Sequence, residues 1–337
     1  MGMFRGLGLS LSNEDPVAVT LELAREADRL GFDEVSLPES RLIRSVTSVA
    51  AAVLASTSDI TVRIGIANPV NRHPAVLALE ASTLADLAPG RLRFGVGAAE
   101  WTLKALGMAP PGWKPYTNTV ETVRAMKDLL AGDALSFEPT TFLLGPDARL
   151  ENPPASPPPI DLGAVSGRTM EAVGRWADGV QLGAITSVGY TRWARERIEE
   201  GAHRAGRSTD DLLISANVLT SVDEDRDAAR NAVRDVLAYY IARVEGVVIT
   251  ESGADPAHIE EVRRAVREEG FDAGAAAVTD HLIDVFAVAG TVDEVVEGLA
   301  EYAEAGLGLP LAWYTLGPDP VEATRVLGRL VRPAVTG

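Results

Sequence analysis

A parallel (β/α)8 barrel is the fold this sequence predicts, on three observations. Short apolar runs alternate with helical segments over most of the 337 residues. There are eight such runs, each followed by a helical stretch, a pattern that favours a closed parallel barrel. The runner-up, an open doubly wound sheet, often carries a glycine-rich dinucleotide loop behind a strand. Here the GVG of Gly95–Gly97 lacks both the third glycine and the following helix of that fingerprint.

The elements follow in order. RGLGLSL (5–11) precedes a helix from about Pro16 to Leu30, with proline well placed near its start. EVSL (34–37) leads to a helix in SVTSVAAAVLAST, and VRIGIA (62–67) leads to PAVLALEASTLADLA. Gly65 inside that third run marks a bulge or a close approach of a ligand to the backbone. LRFGVG (92–97) precedes a loop and the helix NTVETVRAMKDLL. After the proline-rich crossing ENPPASPPP come IDLGAV (160–165), the helix GRTMEAVGRWA, GVQLG (179–183) and a helix through Ala205. The runs 213–222 and LAWYTL (311–316) complete the eight. The chain reads as a single barrel domain, 1–337, with insertions at 132–159 and 246–289. The first suits a small hairpin and loop, the second a charged helix and an Ala/Gly-rich stretch, and such insertions serve as lids or as surface packing. No internal repeat appears beyond the βα period.

Composition narrows the function. The formal charge of −17 repels nucleic acid and anionic membranes, so neither is an expected partner. With 46% hydrophobic residues the core is ample, and no apolar run reaches the length of a membrane span. The N-terminal MGMFRGLGLSLSN lacks the features of a signal peptide, and together these points favour the cytoplasm. There is no cysteine, hence no disulfide, thiol nucleophile or thiolate metal site. The four histidines, His73, His203, His258 and His281, have no metal-ligand spacing, and no metal is expected. No G-x-S-x-G elbow or Walker loop is present.

Barrels react at the C-terminal ends of their strands. The residues to read are therefore Pro38-Glu39-Ser40, Ala67-Asn68-Pro69, Ala98-Ala99-Glu100, Val165 to Arg168, Gly183-Ala184 and Thr315-Leu316. Glu100 is the sharpest of them, because a carboxyl partly desolvated at a barrel mouth is suited to moving a proton near neutral pH. In GAVSGR the start of a helix at Gly167 offers exposed N–H groups to an anion, with Ser166 as N-cap and Arg168 as a further donor. Trp101, Trp113, Trp313 and Tyr314 are candidates for a pocket wall.

Taken together, GIANPVNRHPAV, APGRLRFGVGAAE, ALGM with KPYTNTVETVRAMKDLLAG, GAVSGRTMEAVGRWADGV and VAGTVDEVVEGLAEYAEAG resemble the bacterial-luciferase-like superfamily. Within it the likeness is to the deazaflavin branch typified by methylenetetrahydromethanopterin reductase, from about residue 4 to 331. The resemblance implies an oxidoreductase that moves a hydride between coenzyme F420 and a small organic substrate, such as a methylene-tetrahydropterin or folate derivative. An FMN-dependent luciferase-like monooxygenase and a barrel that only binds a cofactor are the alternatives. It further implies a non-prolyl cis peptide at Gly65-Ile66, bulged against the cofactor ring beside Ala67 and Asn68. Gly95, Gly97 and Gly183 would border the same cofactor. Its phosphate would sit on Gly163, Ala164, Val165, Ser166, Gly167 and Arg168, with Lys104 a possible contact for the carboxylates of its tail. Glu100 falls where relatives carry an acidic residue implicated in proton transfer. Glu39 stands where many relatives have Asp-His, as a ligand of the ring edge or substrate or as a structural carboxylate, and Gly8 replaces an acidic residue of the reductase type. Superfamily analogy implies a homodimer.

Overall fold

The structure is a computed structural model that describes every residue except Met1, Ser40 and Ala184, together with all side chains but those of Trp101 and Thr315. Nine strands are present among the described residues: β1 (Gly8–Ser10), β2 (Glu34–Leu37), β3 (Thr61–Ala67), β4 (Leu92–Val96), β5 (Ile160–Leu162), β6 (Gly179–Leu182), β7 (Leu213–Val222), β8 (Ala287–Gly290) and β9 (Leu309–Leu316). Every pairing is parallel. The ring runs from β1 through β7 in chain order, and β9 sits between β7 and β1, which closes an eight-stranded barrel. The expected barrel is therefore the fold.

The ninth strand corrects the count of eight. β7 is ten residues long; its first half pairs with β6, its middle with β9, and its last four residues with β8. β8 thus extends the wall at the C-terminal end of the barrel, beyond the reach of β6. It follows the helix Asp280–Phe286 directly, the C-cap residue Ala287 being its own first residue, so no turn chemistry announces it. The stretch from Gly246 onward is helical in four pieces up to Phe286 before it enters β8. Between the helix Pro115–Leu130 and β5 there is no strand among the described residues, in place of the small hairpin that was expected. Instead this segment is tied down by side chains, chiefly the Glu121 carboxylate, which accepts hydrogen bonds from the amides and hydroxyls of Thr140 and Thr141.

The surrounding helices turn an apolar stripe inward. In Val17–Arg29 the buried residues are Thr20, Ala24 and Ala27, spaced to fall on one face. Val292–Glu304 starts with a capping box of Thr291 and Glu294 and buries Val295, Leu299 and Tyr302. Inside the ring, parallel register puts polar residues of neighbouring strands side by side. Arg63 is wholly buried and ion-paired to Glu34 and Asp161, while Arg93 also reaches Asp161. Burial alone would lower the affinity of Arg63 for its proton, but the two carboxylates outweigh this and hold it charged. These residues lie near the starts of their strands and close the foot of the barrel. A depression of about 510 Å³ opens at this foot. Its charges are already matched: Asp28 accepts from the amides of Ser58, Asp59 and Ile60, and Arg332 pairs with Asp33. The reactive groups must be sought at the other end.

Candidate active site

Among the described residues, five that are not glycine have a left-handed backbone: Arg41 (φ 51°), Leu42 (φ 55°), Ala99 (φ 43°), Tyr314 (φ 72°) and Leu316 (φ 57°). All follow or end a strand at the C-terminal rim. Such conformations cost free energy and concentrate at functional sites, so they mark this rim rather than the foot.

At the end of β3 the Gly65-Ile66 peptide bond is cis, as the resemblance implied. The β3–β4 register shifts between Ile64 and Ala67, so the strand bulges there. The bulge lays the Ile66 side chain across the ends of β4 and β5. A Cβ on Gly97 would stand 1.9 Å from Ile66 Cδ1, one on Gly163 2.9 Å from the same atom, and one on Gly95 2.9 Å from Ile66 Cγ2. Three of the expected cofactor glycines thus have a first physical role in making room for Ile66, which forms a half-buried apolar shelf. Asn68 fastens the loop behind it, donating to the Ala98 carbonyl oxygen at 2.5 Å and accepting from the Val70 amide at 2.8 Å. Ala67 is fully buried beneath.

Under the shelf lies a polar floor that the sequence reading missed. Ser36 Oγ donates to Gln181 Oε1 at 3.0 Å, and Gln181 Nε2 donates to Asn217 Oδ1 at 2.9 Å. A Cβ on Gly65 would lie 2.1 Å from that Gln181 oxygen, so only glycine fits above the floor. The available signal was a polar residue at every second place in otherwise apolar strands, the inward period of a barrel. At Gly183 a Cβ would meet nothing within 4 Å, so the space beside the shelf is open; its neighbour Ala184 lies outside the described residues, as does Ser40.

Beyond Gly163 the chain runs through buried Ala164 and exposed Val165 (56% exposed) to the helix Gly167–Trp176. Ser166 is its N-cap in a capping box with Thr169. Thr169 Oγ1 accepts from the amides of Val165 and Ser166, at 3.2 and 3.0 Å, which leaves the first-turn N–H groups of Gly167 and Arg168 facing out of the helix end. Arg168 itself is exposed, its guanidinium carbon 3.7 Å from the centre of the Tyr116 ring.

The two expected catalytic carboxylates sit differently from one another. Glu39 is half-buried and held by both terminal nitrogens of Arg72, at 2.6 and 2.7 Å. Arg72 also lies 3.5 Å from Glu80, whose carboxyl is pushed up by burial against the pull of Arg72. Glu100 opens a short helix, Glu100–Ala105, which corrects the expectation that no helix follows the GVG. Its side chain is 47% exposed and paired with Lys104 at 2.5 Å, so the partly desolvated carboxyl expected there is a solvated ion pair in the free chain. Lys104 is thereby engaged as well. At Gly8 a Cβ would lie 2.6 Å from Leu311 Cδ2 and 2.7 Å from the Glu34 carbonyl oxygen, so no acidic side chain fits there.

Across the mouth stands an aromatic wall. Tyr240 packs edge-on against Trp313, with centroids 5.1 Å apart, and Trp313 against Tyr314 at 5.0 Å. Burial lifts the hydroxyls of Tyr240 and Tyr314 above the ordinary phenol range, so both remain hydrogen-bond donors at neutral pH. Trp113 is spent on Asn118, its indole N–H donating at 3.2 Å. The side chains of Trp101 and Thr315 lie outside the described residues. His73 caps the helix Pro74–Leu87 and meets the Leu143 carbonyl oxygen through Nε2, which is loop packing. Among the described residues no cluster of side chains could hold a metal ion.

Comparison with known proteins agrees with this geometry. A family described as luciferase-like monooxygenase matches residues 3–308. The 5,10-methylenetetrahydromethanopterin reductase of Archaeoglobus fulgidus is 30% identical over 314 residues, covering 91% of this chain and 92% of that protein. The enzyme of the same name from Methanolobus tindarius is 28% identical over 325 residues, covering 96% and 98%. Among solved structures, the coenzyme F420-dependent tetrahydromethanopterin reductase from Methanopyrus kandleri superposes with a TM-score of 0.87 at 26% identity, covering 98% of this chain and 99% of that one. With a matching family over nine-tenths of its length and a strand-end bulge where that likeness requires one, the chain belongs to the luciferase-like monooxygenase family.

Proposed function

We propose that the protein is a coenzyme F420-dependent oxidoreductase that transfers a hydride between the deazaflavin and a small organic substrate. The observation that carries the reading is the Ile66 shelf, cleared by Gly97 and Gly163, only a few residues of chain before a helix start that bears Arg168. A flat heterocycle with an anionic tail fits this arrangement. The shelf offers one apolar face, the open space at Gly183 gives room beside it, and the amides of Gly167 and Arg168 suit an oxyanion. The coenzyme F420-dependent reductase from Methanopyrus kandleri, similar in structure along nearly the whole chain, supports the choice of deazaflavin over FMN.

When bound, the deazaflavin supplies the hydride chemistry. The chain's own residues do the rest. Ile66 would support one face of the ring and leave the other to substrate. The Ser36–Gln181–Asn217 floor keeps the shelf at a fixed height, and the wall of Tyr240, Trp313 and Tyr314 bounds the substrate side. Glu100 holds or gives a proton at its carboxylate once the mouth is filled and Lys104 is displaced. Glu39, clamped by Arg72, orients the rim. A methylene-tetrahydropterin or folate derivative is the first substrate to assay, and a cytoplasmic homodimer the proposed form.

The test is titration of the apo protein separately with F420 and FMN, followed by fluorescence, and then turnover with the reduced deazaflavin. F420 should bind more tightly than FMN, and Glu100→Gln should cut turnover strongly while leaving F420 affinity nearly intact. Preference for FMN with oxygen consumption would replace the reading with a monooxygenase, and binding without turnover on any substrate would leave a cofactor-binding barrel.

A further inference from the structure

We infer that Tyr116 is a positioning residue for the anion seat: its ring holds the Arg168 guanidinium flat, so that the edge of the guanidinium meets the charged tail of the cofactor. This rests on the cofactor reading above and adds to it a residue from an element that supplies none of the other contacts. Tyr116 is the second residue of the helix Pro115–Leu130, and Arg168 the second residue of Gly167–Trp176. The two helix starts therefore meet through this one stacked pair, 3.7 Å from guanidinium carbon to ring centre.

Three features fit the pair to this role. First, Arg168 has no carboxylate within ion-pair distance among the described residues, in a chain of net charge −17. A cation without an ion-pair partner on so acidic a surface is available to an anion. Second, a stacked guanidinium uses its face and leaves its N–H donors in the plane, where they can meet an oxyanion in a bidentate way. Third, the hydroxyl of Tyr116 has no hydrogen bond among the described residues, so the ring alone makes the contact. The seat behind is rigid: Tyr190 donates its hydroxyl to the Val165 carbonyl oxygen at 3.2 Å, and Thr169 fastens the amides of Val165 and Ser166.

The experiment compares two probes on the full chain: coenzyme F420, and its deazaflavin riboside, which lacks the phosphate and the carboxylate tail. Tyr116→Leu should weaken F420 binding roughly fivefold, the size of an exposed cation–π contact, and leave riboside binding unchanged. Tyr116→Phe should match the wild type, and in an Arg168→Ala background Tyr116→Leu should have no further effect. Circular dichroism and the melting temperature identify a variant that has not folded, in which case Tyr116→Met, which also lacks the aromatic face, takes the place of Tyr116→Leu in both backgrounds. The proposal is overturned if Tyr116→Leu weakens both probes equally, if it weakens neither, or if its effect persists without Arg168. Wild-type protein that binds neither probe overturns the cofactor reading itself, a result distinguishable from all of these.

Discussion

Gly97 illustrates how much of this site is decided at the level of a single missing atom. Its backbone is ordinary, so conformational freedom does not explain it. What excludes any side chain is Ile66 Cδ1, 1.9 Å from where a Cβ would sit, with the Gly163 Cα at 3.3 Å on the other side. Overpacked positions of this kind usually cost about 1–3 kcal/mol. Gly97→Ala should therefore lower stability by about that much and weaken deazaflavin binding, because the shelf must move. Ile66→Val removes the clashing Cδ1, so the same Gly97→Ala change made in that background should cost well under half as much in urea denaturation. Equal costs in both backgrounds would show that Ile66 is not what Gly97 accommodates.

At the scale of elements, the long connection before β5 is held chiefly by the Glu121 carboxylate, with a second tie from Asp128 to Ser136, rather than by strands. Burial pushes the Glu121 carboxyl up, but the hydroxyls of Thr141 and Thr140 and the amides of both residues favour its charged form more strongly, and its pKa falls below the usual glutamate value. A group whose pKa is depressed on folding contributes stability that is fully present above its unfolded pKa, about 4.3. That stability is lost as pH falls through the lower folded value. Hydrogen exchange at Thr140 and Thr141 should thus speed up relative to the barrel strands as pH drops below about 4. Glu121→Gln should abolish that pH dependence and leave the segment looser at neutral pH. An unchanged exchange profile in the variant would remove Glu121 as the fastener. The Glu39–Arg72 pair is the corresponding tie between the ends of β2 and β3, made at the rim itself.

For the whole molecule the question is how a chain of charge −17 meets a second copy. The helix Pro74–Leu87 exposes Val76, Leu79 and Leu87 on its outer side, and Leu143 is also exposed. Mutual repulsion is low across such a face, where Asp86 is the one exposed charge of the helix, which supports the proposed homodimer. Sedimentation should give twice the 35.6 kDa chain mass, and Leu79→Lys should shift the protein toward monomer without loss of the fold. A monomer at all concentrations would end that proposal. No helix among the described residues is long and apolar enough to cross a membrane.

The amino-acid sequence by itself determined the barrel, because the alternation of apolar runs with helical segments is a local property that survives without knowledge of contacts. It also pointed to the C-terminal rim as the place of the proposed site, since residues at strand ends can be read from the ends of those runs, and its motifs pointed to the bulge at Gly65-Ile66. Only the tertiary structure decided which strand-end residues act together. Ser36, Gln181 and Asn217 come from three separate strands, and Tyr116 and Arg168 from two separate helices. The pairing of Glu100 with Lys104 and the clamp of Arg72 on Glu39 likewise depend on where side chains end up. Even β8 escaped notice, because four residues that follow a helix without a turn become a strand only when β7 offers them an edge. Local pattern specifies the elements; the meeting of side chains distant in the chain depends on closure of the ring, which no short window of sequence contains.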